Sequence, residues 1–167
     1  MSKKLSVDRK TSTAHRLKHY DGDCSNVHGH NLAWEVNLLL EDPSPPDNMT
    51  VDFKTVSDYI DLVDHALLLN EEDELVDSVE EWRWLDGGRD FDTIGWTMYR
   101  SPALGDVLIY EGDPTCEVLA PWLAELLVSK IDSCFLAKVS LKETESYELS
   151  NAVYMEEDRA VVEGIHE

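Results

Sequence analysis

From residue 28 to residue 40 the chain alternates with period two: His28, His30, Leu32, Trp34, Val36, Leu38 and Leu40 share one phase. That is the pattern of a strand with one face toward a core. Residues 5–17 alternate more loosely and end with Thr11, Thr13 and His15 on one phase, predicting a preceding strand. The connection, Lys18 to Val27, contains the turn signal Asp21-Gly22-Asp23, so the two strands are expected to form an antiparallel pair. Pro43, Pro45 and Pro46 end the second strand. The period then changes. Phe53, Val56, Ile60, Val63 and Leu67 follow Asp52 as one helical stripe, with Asp52 as N-cap and Asp64-His65 at the helix end. A second helix is expected from Asp113-Pro114, with Leu119, Trp122, Leu123, Leu126, Leu127 and Ile131 as its apolar stripe. Pro121 sits too deep for a first-turn proline and predicts a kink or a later start. Two strands close the pattern, one with Phe135, Ala137, Val139, Leu141 and Glu143 in phase, the other with Tyr147, Leu149, Val153 and Met155. The order strand, strand, helix, middle region, helix, strand, strand is α+β.

The middle region, residues 71–112, is rich in aromatic side chains (Trp82, Trp84, Phe91, Trp96, Tyr99) and contains a turn at Asp86-Gly87-Gly88. A long structureless insertion is uncommon in a compact domain, so a hairpin or lid is expected there, with Val107 to Tyr110 as a short strand. The whole of 1–167 reads as one domain carrying this insertion.

Charge narrows the partners. The chain has 35 acidic and 14 basic residues, net −21, spread along its length. Such a surface repels nucleic acid and anionic membranes and suits a solvated protein in high salt. No stretch reaches the roughly 18 apolar residues of a membrane helix, and Met1-Ser2-Lys3-Lys4-Leu5 leads into no apolar block, so a cytoplasmic protein is expected. Cys24, Cys116 and Cys134 form no CxxC pair and no disulfide framework.

The chemistry concentrates in the first strand pair. His28 and His30 lie about 7 Å apart along one strand face, close enough for both imidazoles to converge on one ion with His15 from the neighbouring strand. Three histidines leave the fourth position of a zinc ion open, the pattern of a catalytic site. Cys24, four residues before His28, is a candidate base or nucleophile. Asp64-His65 offers a carboxylate that can orient an imidazole, although adjacent residues do not share a helix face. Glu143 continues an apolar phase, where a carboxylate needs a partner; it could accept two parallel N–H bonds from a guanidine-like ring edge such as a pterin or guanine.

His15, Cys24-Ser25-Asn26-Val27-His28-Gly29-His30, Val51-Asp52-Phe53, Asp64-His65 with Leu69-Asn70, Pro114-Thr115-Cys116-Glu117 and Lys142-Glu143-Thr144 occur in this order. The set resembles the 6-pyruvoyl-tetrahydropterin synthase family, most closely its 6-carboxy-tetrahydropterin synthase branch, over about residues 5–70 and 113–155. The resemblance implies a tunnelling fold, with ββααββ subunits whose antiparallel sheets assemble into a barrel-like trimer and then a homohexamer, the active sites lying between subunits. It implies zinc on His15, His28 and His30, proton transfer by Cys24 with Asp64 and His65, a pterin anchored by Glu143, and Thr115 and Glu117 lining its pocket. The implied substrate is 7,8-dihydroneopterin triphosphate, cleaved to a carboxypterin that feeds 7-deazaguanine synthesis for modified tRNA bases. Arg9, Lys10, Arg16 and Lys18 are candidate phosphate contacts. The insertion departs from the family's short connection between helices. The pyruvoyl-forming reaction, a zinc- and pterin-binding protein without turnover, and a generic zinc hydrolase stand as alternatives, the last without an HExxH glutamate.

Overall fold

The computed structural model describes residues 3–77, 83–84, 95–144 and 147–154. Strands β1 (Lys3–His15) and β2 (His28–Leu40) pair antiparallel along their full lengths, from Lys3 opposite Leu40 to His15 opposite His28. β7 (Cys134–Thr144) pairs with β2, and β8 (Tyr147–Tyr154) with β7, both antiparallel. Between them in sequence come helix α1 (Phe53–Ile60), β3 (Ala66–Asn70), the short helix α2 (Glu74–Asp77), β4 (Arg83–Trp84), β5 (Trp96–Ser101), β6 (Gly105–Tyr110) and helix α3 (Cys116–Lys130). Among the described residues one sheet runs β4-β5-β6-β3-β1-β2-β7-β8.

Binary patterning decides which face is covered. The even-numbered residues Leu32 to Leu40 of β2, with Ala137, Val139 and Leu141 of β7, are buried under α1 and α3. α3 is buried on more than one stripe, since Ala120 and Ala124 join Leu119, Trp122, Leu123, Leu126 and Leu127. It starts at Cys116, later than the expected Asp113, and runs on through Pro121. Thr115 is its N-cap, and the Asp113 carboxylate serves another purpose, described below.

Helix α1 is shorter than the apolar stripe predicts. It is capped by Asp52, whose side chain accepts from the Lys54 N–H, but it ends at Ile60 in a 3-10 turn, Asp61–Val63. Leu67 belongs to β3, and Asp64-His65 form the turn into that strand rather than a helix end. Phe53, first in the stripe, is 67% exposed. Leu67 fits the helical stripe by spacing, but the whole run Ala66-Leu67-Leu68-Leu69 is buried, the signature of a strand covered on both faces.

The middle region contributes strands to the sheet. β6 lies parallel to β3, and β5 closes an antiparallel hairpin on β6. Successive residues of β3 face opposite ways, so Leu68 joins the main core while Leu67 and Leu69 form a second cluster with Val107 and Ile109, against Leu75, Val76 and Tyr99. Trp96 anchors the hairpin on the helical side, stacked on Tyr110 with ring centroids 4.8 Å apart and 5.5 Å from Trp122 of α3. The Val107–Tyr110 strand and a hairpin in the insertion are thus present; Asp86-Gly87-Gly88 lies outside the described residues.

Candidate functional site

Strand register brings the three histidines together. His15 pairs directly with His28, and His30 pairs with Thr13, one step away on the same face. The ring centroids lie 4.6, 5.1 and 4.9 Å apart, and the three candidate ligand atoms fall within 4.8 Å of one another. Below them on β1, Thr13 Oγ1 donates to the Val63 carbonyl (2.9 Å), and the indole N–H of Trp34 donates to Thr11 Oγ1 (2.9 Å). This buried polar ladder fixes the strand that presents His15.

Tautomers follow from the partners. His15 Nδ1 lies 2.8 Å from the Pro114 carbonyl oxygen and His28 Nδ1 2.7 Å from that of Asn26. A carbonyl only accepts, so each Nδ1 carries the proton and donates. With the protons on Nδ1, the two Nε2 atoms face each other at 3.0 Å and each offers a lone pair that a cation between them would accept. His30 Nε2 is buried and makes no hydrogen bond, although Glu143 Oε1 stands 2.9 Å away. Burial, opposed by the Pro114 hydrogen bond and reinforced by the neighbouring imidazoles, holds His15 below its ordinary pKa. It is therefore neutral and able to coordinate at pH 7. The donor set fits a metal such as zinc.

Glu143 reaches this cluster because of a bulge. Lys142 pairs with Glu148 and Thr144 with Tyr147, which leaves Glu143 as the extra residue on β7. Such irregularities re-aim side chains beside active sites. Its Oε1 lies 3.5 Å from His15 Nε2, and the Cys116 thiol donates weakly to Oε2 at 3.9 Å.

Around Glu143 opens a cleft of about 500 Å³ whose lining includes His15, Cys24, Thr115, Glu117 and Glu143. Its size suits a small ligand. Cys116 lines it too, a residue to which the sequence assigned no role of its own. Burial and the charges of Glu143 and Glu117 push the Cys116 thiol up to about 12, and burial pushes Cys134 up to about 11. Neither is a thiolate near neutral pH.

Asp64 and His65 lie elsewhere. The His65 backbone is left-handed (φ 56°), which folds its ring back on its neighbour so that Nδ1 sits 3.0 Å from Asp64 Oδ2. Asp64 Oδ1 accepts from the Ser12 N–H (2.8 Å), and the His65 N–H donates to the Ser12 carbonyl (2.7 Å). A non-glycine residue with positive φ, held on both sides, is a common feature of functional sites. The His65 side chain is 81% exposed and opens on a different cleft from Cys24.

The loop carrying Cys24 is bolted down by Asp113, which accepts from the backbone N–H groups of Lys18 and His19 and from Asn70 Nδ2. Burial works against this carboxylate, but the hydrogen bonds from Asn70 and from those amides hold it below its usual range. An acid before a proline at a helix start reads as a cap; only the fold reveals the bolt. Three of the basic residues are engaged. Arg9 pairs with Asp61, and Arg16 and Lys18 with Glu74, whose carboxyl its own amide and these two cations draw down to about 2.

Comparison with known proteins agrees with the motif reading. Residues 4–156 match the family described as 6-pyruvoyl tetrahydropterin synthase. The probable 6-carboxy-5,6,7,8-tetrahydropterin synthase of Halobacterium salinarum is 38% identical over 72 residues, covering 43% of this chain and 47% of that protein, so the match spans about half the length of this curated relative. Among solved structures, an uncharacterized protein from Wolinella succinogenes has a TM-score of 0.61 at 18% identity, covering 93% of this chain and 99% of that one. The 6-pyruvoyl tetrahydropterin synthase of Plasmodium vivax has 0.54 at 14% identity, with coverage of 93% and 99%. That of Caenorhabditis elegans has 0.50 at 24% identity, with coverage of 90% and 95%. These likenesses establish the tunnelling fold, here with a mixed sheet because β3 and β6 extend it in parallel.

Proposed function

The chain belongs to the 6-pyruvoyl tetrahydropterin synthase family, and on that premise we propose that it is a zinc-dependent 6-carboxy-5,6,7,8-tetrahydropterin synthase. The reaction takes 7,8-dihydroneopterin triphosphate and water to 6-carboxytetrahydropterin, acetaldehyde and triphosphate, a step toward 7-deazaguanine tRNA bases. The observation that carries the reading is the convergence of His15, His28 and His30, with the Nε2 atoms of His15 and His28 facing each other at 3.0 Å and that of His30 buried without a hydrogen bond, next to a cleft shared by Cys24 and Glu143. The name of the Halobacterium salinarum relative favours the carboxy branch.

His15, His28 and His30 would hold the zinc. When bound, it supplies Lewis-acid polarisation of the substrate's side-chain hydroxyls. Glu143 accepts N–H bonds from the pterin edge, with Thr115 and Glu117 beside it, the pairing a carboxylate makes best. Cys24 takes or returns a proton at Sγ. Asp64 holds the proton on His65 Nδ1, which leaves Nε2 as the atom that exchanges protons.

Cys24 and His65 open on separate clefts of one chain, so in this reading His65 reaches Cys24 from a second copy. Open edges favour such assembly: among the described residues β3 pairs with β1 only at Ala14 and His15, and β8 ends the sheet. An unpaired edge seeks a strand, which supports the barrel-like trimer and homohexamer. Incubating the pure protein with dihydroneopterin triphosphate and weighing the products tests the reaction. Carboxypterin with acetaldehyde supports it; a pyruvoyl product, or none, rejects it.

A further inference from the structure

We infer that Leu104, at the tip of the β5–β6 hairpin, is a specificity-determining wall of the cleft that holds His65. The inference rests on the reaction proposed above and adds to it a residue of the insertion. The register of the parallel pair sets the position. Ala66 pairs with Asp106, so the hairpin turn, two residues before Asp106, arrives level with Asp64-His65. There a cavity of about 400 Å³ is lined by Gly29, His30, His65, Ala66, Leu67 and Leu104, among others.

The turn is built to hold Leu104 in place. Buried Ser101 accepts at Oγ from the N–H groups of Ala103 (3.3 Å) and Leu104 (3.2 Å). Gly105 takes a left-handed φ of 77°, which a side chain would strain. Arg100 Nε donates to Asp106 Oδ1 at 2.7 Å across the base of the hairpin. The result is an apolar side chain, 38% exposed, in one cavity with a histidine that a carboxylate orients. A lone exposed leucine means little; a rigidly presented one beside a proton-exchanging imidazole defines what can approach it. Leu104 therefore packs against the carbon side chain of the substrate and turns its charged phosphates away from His65.

The test uses the full-length protein with Leu104→Ala, Leu104→Asp and Leu104→Met, kcat and KM for dihydroneopterin triphosphate, and carbethoxylation of His65 with and without neopterin. Leu104→Ala should raise KM roughly tenfold, the lower end of what a methylene in an apolar pocket is worth. Leu104→Asp should raise it further and Leu104→Met should restore most of the loss, with kcat moving less than KM and zinc content unchanged. Neopterin should slow His65 modification in the native protein, and Leu104→Asp should abolish that protection. Unchanged KM in both the Ala and Asp variants overturns the inference. If the native protein converts nothing, the proposed reaction fails by itself and His65 protection decides: none in the native protein, or equal protection in Leu104→Asp, overturns the wall.

Discussion

Replacing Asp64 with Asn separates orientation of His65 from the stability of the turn that carries it. The side chain keeps its shape, and its carbonyl can still accept from the Ser12 N–H, now bonded at 2.8 Å. Its NH₂ then faces His65 Nδ1, where Asp64 Oδ2 stands at 3.0 Å. A donor there forces the imidazole proton to Nε2, the wrong tautomer for exchange at that atom. The hydrogen bond lost is charge-assisted, worth about 1.5–3 kcal/mol when shielded. The Asp64 side chain is 31% exposed and His65 far more so, hence the stability loss should be about 1 kcal/mol or less. The rate should suffer more. Losing a general acid–base partner costs roughly 10²–10⁴-fold, or about 2.7–5.4 kcal/mol of barrier. Acetaldehyde release gives kcat, thermal unfolding gives the stability change, metal analysis gives zinc per chain, and ¹⁵N NMR of the histidines reads the tautomer. A variant that keeps the wild-type kcat, or that loses rate only in proportion to zinc, would refute this account.

Four further outcomes are expected. His28→Ala and His15→Ala should each bring zinc well below one per chain by metal analysis; full retention removes the ligand assignment. Glu143→Ala should weaken pterin binding in calorimetry by roughly 2–5 kcal/mol and Glu143→Gln by less, with zinc retained, whereas loss of zinc would make Glu143 a ligand instead. Maleimide at pH 8 should modify Cys24 before Cys116 and Cys134, whose thiols lie at about 12 and 11, and Cys24→Ala should keep zinc while turnover falls roughly 10²–10⁴-fold. Light scattering in molar salt should give several chains per particle, and an active monomer would exclude a composite site.

The two-residue period made β1, β2, β7 and β8 legible, most clearly in β2, where the even-numbered residues from Leu32 to Leu40 are buried and the residues between them are not. It also brought His15 onto the phase of Thr11 and Thr13, which the register turns toward His28. Where the chain is buried on both faces the period vanishes, and Leu67 completed a helical stripe by spacing while it belongs to the strand Ala66–Asn70. That error carried Asp64-His65 onto a helix end, when a left-handed residue turns them into β3. The bulges were equally hidden. At Leu39/Leu40 of β2 the register slips, and Cys134 rather than Phe135 pairs with Leu40 and packs in the core. At Lys142/Thr144 a second slip re-aims Glu143. Motif order nominated the candidate residues, but no spacing could reveal that Cys24 and His65 face different clefts.

The stack of Trp96 on Tyr110, with Trp122 5.5 Å away, gives this protein a built-in optical gauge. Two indoles at that separation couple their excited states, and one belongs to the hairpin while the other belongs to the helix that begins at the cleft residues Thr115 and Cys116. Near-ultraviolet circular dichroism of the pair therefore registers whether the insertion is seated on the helix, without substrate, metal or label. A variant that empties the histidine cluster yet keeps this signal has lost its ion alone; one that loses both has undocked the hairpin. The gauge sorts chemical defects from architectural ones in every mutant described above.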